Sequence, residues 1–111
     1  MKQSLISLLL VLMLTLSLIA GCSTSITLTI YHAGSLTIPF DSISEAFNQL
    51  YPNIAVRTEA AGSVVTIRKV TELGKRADII ASADYTLIPE IMFPEYADWY
   101  IAFARNQMVI C

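Results

Sequence analysis

The sequence predicts an α/β fold, a parallel sheet covered by helices, carried behind an export segment. Three observations lead there. β-like and helix-like runs alternate from residue 26 onward. The tripeptide Ala-Gly-Ser occurs twice, at Ala33-Gly34-Ser35 and Ala61-Gly62-Ser63, each time closing a β-like run and opening a helix-like one. A third β-like run, Asp78 to Ser82, is short and apolar, as a strand buried on both faces of a parallel sheet would be. Strands that alternate with helices pair in parallel, because each crossover returns the chain to the same end of the sheet.

The elements are taken in chain order. Ile26 to His32 alternates apolar and polar positions and is rich in β-branched residues, so it reads as the first strand. After the first Ala-Gly-Ser, Thr37 is placed to cap a helix with Pro39 just inside its start. Phe40, Ile43, Phe47 and Leu50 then recur at helical spacing until Tyr51-Pro52-Asn53 ends the run. Ile54 to Glu59 is the second strand. Val64, Ile67, Val70 and Leu73 form the stripe of a second helix, and Gly74 fits the left-handed position just past its end. Lys69, Lys75 and Arg76 suit the negative end of that helix. Asp78 to Ser82 is the third strand, and Ala83-Asp84-Tyr85 opens a short helix toward Ile91. Pro94 to Asp98 is a turn, and Trp99–Phe103 and Gln107–Ile110 read as two further β-like stretches.

The beginning of the chain has a different character. Lys2 is followed by a nearly unbroken apolar run from Leu5 to Ala20, and Ile19-Ala20-Gly21-Cys22 closes it with small residues before a cysteine. These are the regions of a secretory signal over residues 1–21, and the cysteine makes it similar to a lipoprotein signal, with Cys22 as the lipid-carrying residue. The run falls short of the roughly 20 residues of a spanning helix. Ser23, Thr24 and Ser25 complete a polar tether over residues 22–25, which leaves 26–111 for the fold. The expected location is the outer surface of the cell membrane.

Charge and cysteine content exclude several classes. All nine acidic residues and six of the seven basic ones lie beyond residue 21, a net charge of −3 for that part. Nucleic-acid binding needs clustered Lys and Arg to displace counterions, so no nucleic-acid partner is expected. With Cys22 lipidated, Cys111 stands alone and no disulfide framework is expected. No Cys or His pair has metal-ligand spacing, His32 is the only histidine, and neither a metal nor a cofactor is expected.

The two Ala-Gly-Ser turns are the candidate site. Free N–H groups at a helix start carry positive partial charge and suit an anion. Ser35 and Ser63 add hydroxyl donors without adding charge. The same turns also serve as ordinary helix caps. A catalytic reading of His32 with Ser35 lacks an orienting acid and any Gly-x-Ser-x-Gly motif, so His32 is expected to be a strand-end residue with its ring bonded locally. Asp78 and Asp84 are expected to cap the third strand and the helix after it. Tyr96, Trp99 and Tyr100 are expected to pack at the core and rim.

Four stretches carry a family resemblance: YHAGSL at 31–36, EAAGSV at 59–64, ELGKRADIIASADYTLIP at 72–89 and PEYADWYIAFARNQMVI at 94–110. Together they resemble the substrate-binding proteins of molybdate and tungstate ABC transporters, archaeal-type branch. The resemblance implies one lobe of a two-lobed periplasmic-binding-protein fold of type II, with Gly34, Ser35 and Ser63 contacting the oxyanion from this first lobe. It implies a membrane permease and an ATP-hydrolysing subunit as partners, and no catalysis. Members of the family are roughly three times as long, so the chain reads as an N-terminal piece whose second lobe is missing. Sulfate or another tetrahedral oxyanion is the alternative ligand, and a serine-dependent enzyme on a similar lobe the alternative activity.

Overall fold

The computed structural model of the chain describes Gln3, Ile6 and residues 25–105. Cys22, nearly all of the export segment and the β-like stretch at 107–110 lie outside the described residues. β1 runs Ile26–Ala33, α1 Thr37–Leu50, β2 Ile54–Ala61, α2 Ser63–Thr71 and β3 Ile79–Ala81. A 3-10 turn at Gly34–Leu36 joins β1 to α1, and a π-helical turn spans Ile88–Met92. The three strands form one sheet in the order β2-β1-β3, with both pairings parallel. Among the described residues, no helix is long and apolar enough to cross a membrane.

Strand periodicity sorts β1 onto two faces. Ile30 on one face packs with Phe40 of α1 and Ala81 of β3, flanked by Leu28, Leu36 and Val56. On the other face, Ile67 of α2 packs with Ile88 and Met92 of the π-helical turn and with Ile80 of β3. Helical segments therefore cover both sides of the sheet, as the alternating pattern predicts. Ile67 is fully buried.

The expected helical stripes are only partly used. Of the α1 stripe Phe40 is buried, while Ile43 and Leu50 are exposed. Phe47 packs against Tyr51 with the rings tilted by 35° and their centroids 4.7 Å apart. In α2 the stripe delivers Ile67 and half of Val70, and Leu73 is exposed. Gly74 behaves as expected: at φ +62° it takes the left-handed conformation past the helix end, where Lys75 N–H donates to the Lys69 carbonyl at 2.9 Å.

Four local expectations are corrected. Thr37 is not the N-cap of α1. Leu36 holds that place, and the Thr37 hydroxyl donates back to the Gly34 carbonyl at 2.8 Å, closing the 3-10 turn. The segment after Asp84 is a turn followed by the π-helical turn, not a helix from residue 83. Ser82 and Asp84 hold the start of that segment in turn geometry, since Asp84 N–H donates to Ser82 Oγ at 3.1 Å. Residues 99–103 form no strand, because no described backbone pairs with them, and Trp99 and Tyr100 are exposed. Ile79 of β3 is exposed rather than buried on both faces, since β3 is the outer strand of the described sheet.

Candidate functional site

The sheet order decides where the two Ala-Gly-Ser turns meet. β1 pairs with β2 in the register that sets Ala33 opposite Ala61. Both strands thus end at the same level, and both turns leave from the same edge of the sheet. A Cβ built on Gly34 would stand 3.9 Å from the Ala61 carbonyl oxygen, so the first turn lies against the end of the second strand. β1 is also central: the chain passes to one side of it for β2 and to the other for β3. A reversal of this kind opens a crevice beyond the carboxyl ends of the strands, where ligands of open α/β sheets bind.

A third loop reaches the same edge of the sheet. Ser63 Oγ accepts the backbone N–H of Ala83 at 3.2 Å. Ser63 follows β2 and Ala83 follows β3, so the bond spans the end of β1. Because Ser63 Oγ accepts there, its own proton remains available to donate. Ser35 is exposed and Ser63 half-buried.

The helix starts supply the electrostatics. Gly62 is the N-cap of α2 in extended geometry, and its carbonyl accepts Thr66 N–H at 2.8 Å. No side chain caps α2, the 3-10 turn or α1. The N–H groups of Ser63, Val64 and Val65 precede the first intrahelical bond and point out of the helix. Of the acids nearby, Asp84 is turned onto Thr86: Oδ1 accepts the Thr86 hydroxyl at 2.7 Å and its N–H at 3.0 Å. The hydroxyl bond and then the backbone bond hold the Asp84 carboxyl below its ordinary value of 3.8. Asp84 therefore holds the turn at Thr86 rather than capping a helix as expected, because the next helical segment starts at Ile88 with Leu87 as its uncapped N-cap. Asp78 caps a strand, its Oδ2 accepting Thr29 N–H at 2.7 Å while its own N–H donates to the Thr29 carbonyl at 2.9 Å.

His32 is engaged elsewhere. Its ring is buried, stacks on Phe40 at 5.0 Å with an interplanar angle of 5°, and places Nδ1 3.0 Å from the Ala33 carbonyl. A carbonyl only accepts, so Nδ1 carries the proton. This is the local bonding expected of it. Tyr96 reaches across to donate from its hydroxyl to the Thr71 carbonyl at 3.2 Å, a rim contact of the expected kind. Trp99, 72 % exposed, does not pack as expected. Sequence reasoning missed Ala83, whose backbone N–H ties the loop after β3 to Ser63; the short strand before it was its only signal.

The layers and the parallel sheet are those of one lobe of a periplasmic-binding-protein fold. The sequence profile of the family described as bacterial extracellular solute-binding protein matches residues 28–111, and the chain belongs to that family. It is a family of binding proteins rather than enzymes. Among its relatives, a solute-binding protein of Methanococcus maripaludis is 57% identical over 83 residues, covering 75% of this chain and 24% of the relative. One of Petrotoga mobilis is 55% identical over 83 residues, covering 75% and 26%. The molybdate/tungstate-binding protein WtpA of Pyrococcus abyssi is 50% identical over 88 residues, covering 75% and 26%. The chain thus spans about a quarter of the length of the curated relatives it matches.

Proposed function

We propose that this chain contributes the first lobe of the extracytoplasmic substrate-binding component of an ABC importer for molybdate or tungstate, without catalysis. The observation that supports the reading is the Ala33–Ala61 register, which brings both Ala-Gly-Ser turns to one edge of the sheet. The identity to the WtpA relative supports the ligand class. In this reading the N–H groups of Gly34, Ser35 and Ser63 and the two serine hydroxyls bind the anion through dipoles, without a cationic side chain. An opposing lobe supplies the remaining ligands and closes over them. Neither φ nor internal packing requires glycine at Gly34, which fits close approach of an anion to its backbone.

The rest of the assembly belongs to the same proposal. Residues 1–21 direct export, Cys22 carries the lipid, residues 22–25 form the tether, and residues 26–111 form the lobe. The anchor holds the protein at the outer membrane surface beside its permease and ATP-hydrolysing subunits. Each buried CH₂ of the acyl chains contributes about 0.8 kcal/mol to that anchoring.

The test joins residues 22–111 to the remaining sequence of the Pyrococcus abyssi relative and titrates molybdate, tungstate and sulfate by calorimetry. The expected result is binding of molybdate or tungstate in preference to sulfate. Each charge-assisted hydrogen bond contributes about 1.5–3 kcal/mol, so Ser35→Ala and Ser63→Ala are each expected to weaken binding about ten- to a hundredfold. Sulfate preference, or full affinity in both variants, would sink the reading. Loss of fatty-acid labelling in Cys22→Ser tests the anchor.

A further inference from the structure

Charge is segregated along this chain in a way the oxyanion reading does not use. Five of the seven Lys and Arg residues lie between positions 57 and 76, beside two acids, whereas seven acids are spread over the other segments. The segment is folded onto one place, the sheet face that α2 covers. A hollow of 310 Å³ opens there, lined by Thr29, Tyr31, Arg57, Thr58, Glu59 and Arg76. It is set back from the Ala-Gly-Ser turns: Thr29 and Arg57 pair four residues before Ala33 and Ala61.

The groups in this hollow are not satisfied by one another. Lys69 pairs with Glu59 and lies 5.4 Å from the centre of the Tyr31 ring, so the carboxylate is already neutralised. That bond, ahead of the charges of Lys69 and Lys75, holds the Glu59 carboxyl below its ordinary value. Arg68 pairs with Glu72 at 3.1 Å along α2. Arg57 and Arg76 make no ion pair with any described carboxylate.

From this arrangement we infer a second anion site, built to take a phosphate group on a small hydroxyl-bearing carrier. Two guanidinium groups, one from β2 and one from the loop after α2, offer planar forks to different oxygens of a single phosphate. Thr29 and Tyr31, on the same face of the sheet as Arg57, add hydroxyls. A carboxylate would saturate one fork and leave the other idle. The hollow stands at the small end of ligand-site volumes and is larger than inorganic phosphate needs, which leaves room for the carrier. Glu59, an acceptor only, is suited to the carrier's hydroxyls. The phosphate comes either from a soluble phosphoester or from a phospholipid headgroup.

The experiment tracks backbone amide NMR shifts of the full chain during titration with sn-glycerol 3-phosphate. Saturable shifts at Thr29, Arg57 and Arg76 are expected, with affinity falling at least about tenfold in Arg57→Gln/Arg76→Gln, the loss of one charge-assisted bond or more. Arg68→Gln, outside the hollow, serves as the control for loss of a nearby positive charge and is expected to bind as the parent does. Sedimentation with phosphatidylglycerol vesicles but not phosphatidylcholine vesicles, competed by glycerol phosphate, assigns the lipid source. Saturable shifts without sedimentation assign the soluble one. Absence of a saturable shift, shifts confined to Ser35 and Ser63, or unchanged affinity in the double variant would each overturn the inference. The wild-type shift map stands even if the double variant fails to fold, and its failure leaves the oxyanion reading at the turns untouched.

Discussion

Ser63 Oγ accepts the backbone N–H of Ala83 at 3.2 Å, although these residues follow two strands that lie on opposite sides of β1. The bond makes the loops after β2 and β3 into one rim and leaves the Ser63 proton free for a ligand. It links the stability of the crevice to the chemistry of its donor.

Removing that hydroxyl separates the two roles. Ser63→Ala is expected to lower stability by about 0.5–1.5 kcal/mol, the net value of one hydrogen bond. Urea unfolding measures this without ligand. A Ser35→Ala change, at an exposed position in the 3-10 turn, is expected to lie within about 0.5 kcal/mol of the parent. Equal losses in the two variants would contradict the bridging role of Ser63.

Two glycines are expected to respond oppositely to alanine. Gly74 sits at φ +62°, where a Cβ is strained, so Gly74→Ala is expected to cost about 1 kcal/mol. Gly34 has no positive φ, and its added Cβ meets only an ordinary contact at 3.9 Å. Gly34→Ala is therefore expected to be near neutral in thermal melts while weakening oxyanion binding in the joined two-lobe chain.

The Glu59–Lys69 pair sets an acid-side pH dependence. Its hydrogen bond to Lys69 depresses the folded-state pKa of Glu59 below the ordinary 4.5. The contribution is present above pH 4.5 and is lost as pH falls through the lower, folded value. Urea midpoints measured from about pH 6 to about pH 3 are expected to fall less steeply in Glu59→Gln than in the parent. Parallel curves would remove Glu59 from the account.

The core on the α2 face depends on one side chain. Ile67 is fully buried among Ile88, Met92 and Ile80. Ile67→Val is expected to cost about 0.5–1.5 kcal/mol and Ile67→Ala about 2–5 kcal/mol. Leu73→Ala, an exposed member of the same stripe, is expected to stay within about 0.5 kcal/mol. Thermal melts rank the three.

The β1, α1, β2, α2 and β3 segments were readable because each carries its own local signal. Alternation marks Ile26–Ala33, helical spacing marks the Phe40 and Ile67 stripes, and Gly74 stops α2 where a left-handed residue is needed. The readings that failed depend on partners. Residues 99–103 have the composition of a strand, but a strand exists only where another backbone takes its N–H and C=O groups. Thr37 is an acceptable N-cap by type, yet the 3-10 turn before it claims its hydroxyl. The segment after Asp84 lost its expected helix because Ser82 and Asp84 offer side-chain bonds that compete with helical ones.

The site divides in the same way. The two serines, the glycines beside them and the helix starts after them are local facts of the chain, visible as a repeated tripeptide. Whether those turns form one site is a matter of register and strand order. A shift of one residue would turn every side chain of β2 to the opposite face and part the two turns. The Ala33–Ala61 pairing, the central place of β1 and the reach of Ser63 to Ala83 are set by packing on both faces of the sheet. So is the gathering of Arg57 and Arg76 around one hollow. Their separation of 19 positions along the chain carries no spacing rule, and only the fold of α2 back over β2 brings them together.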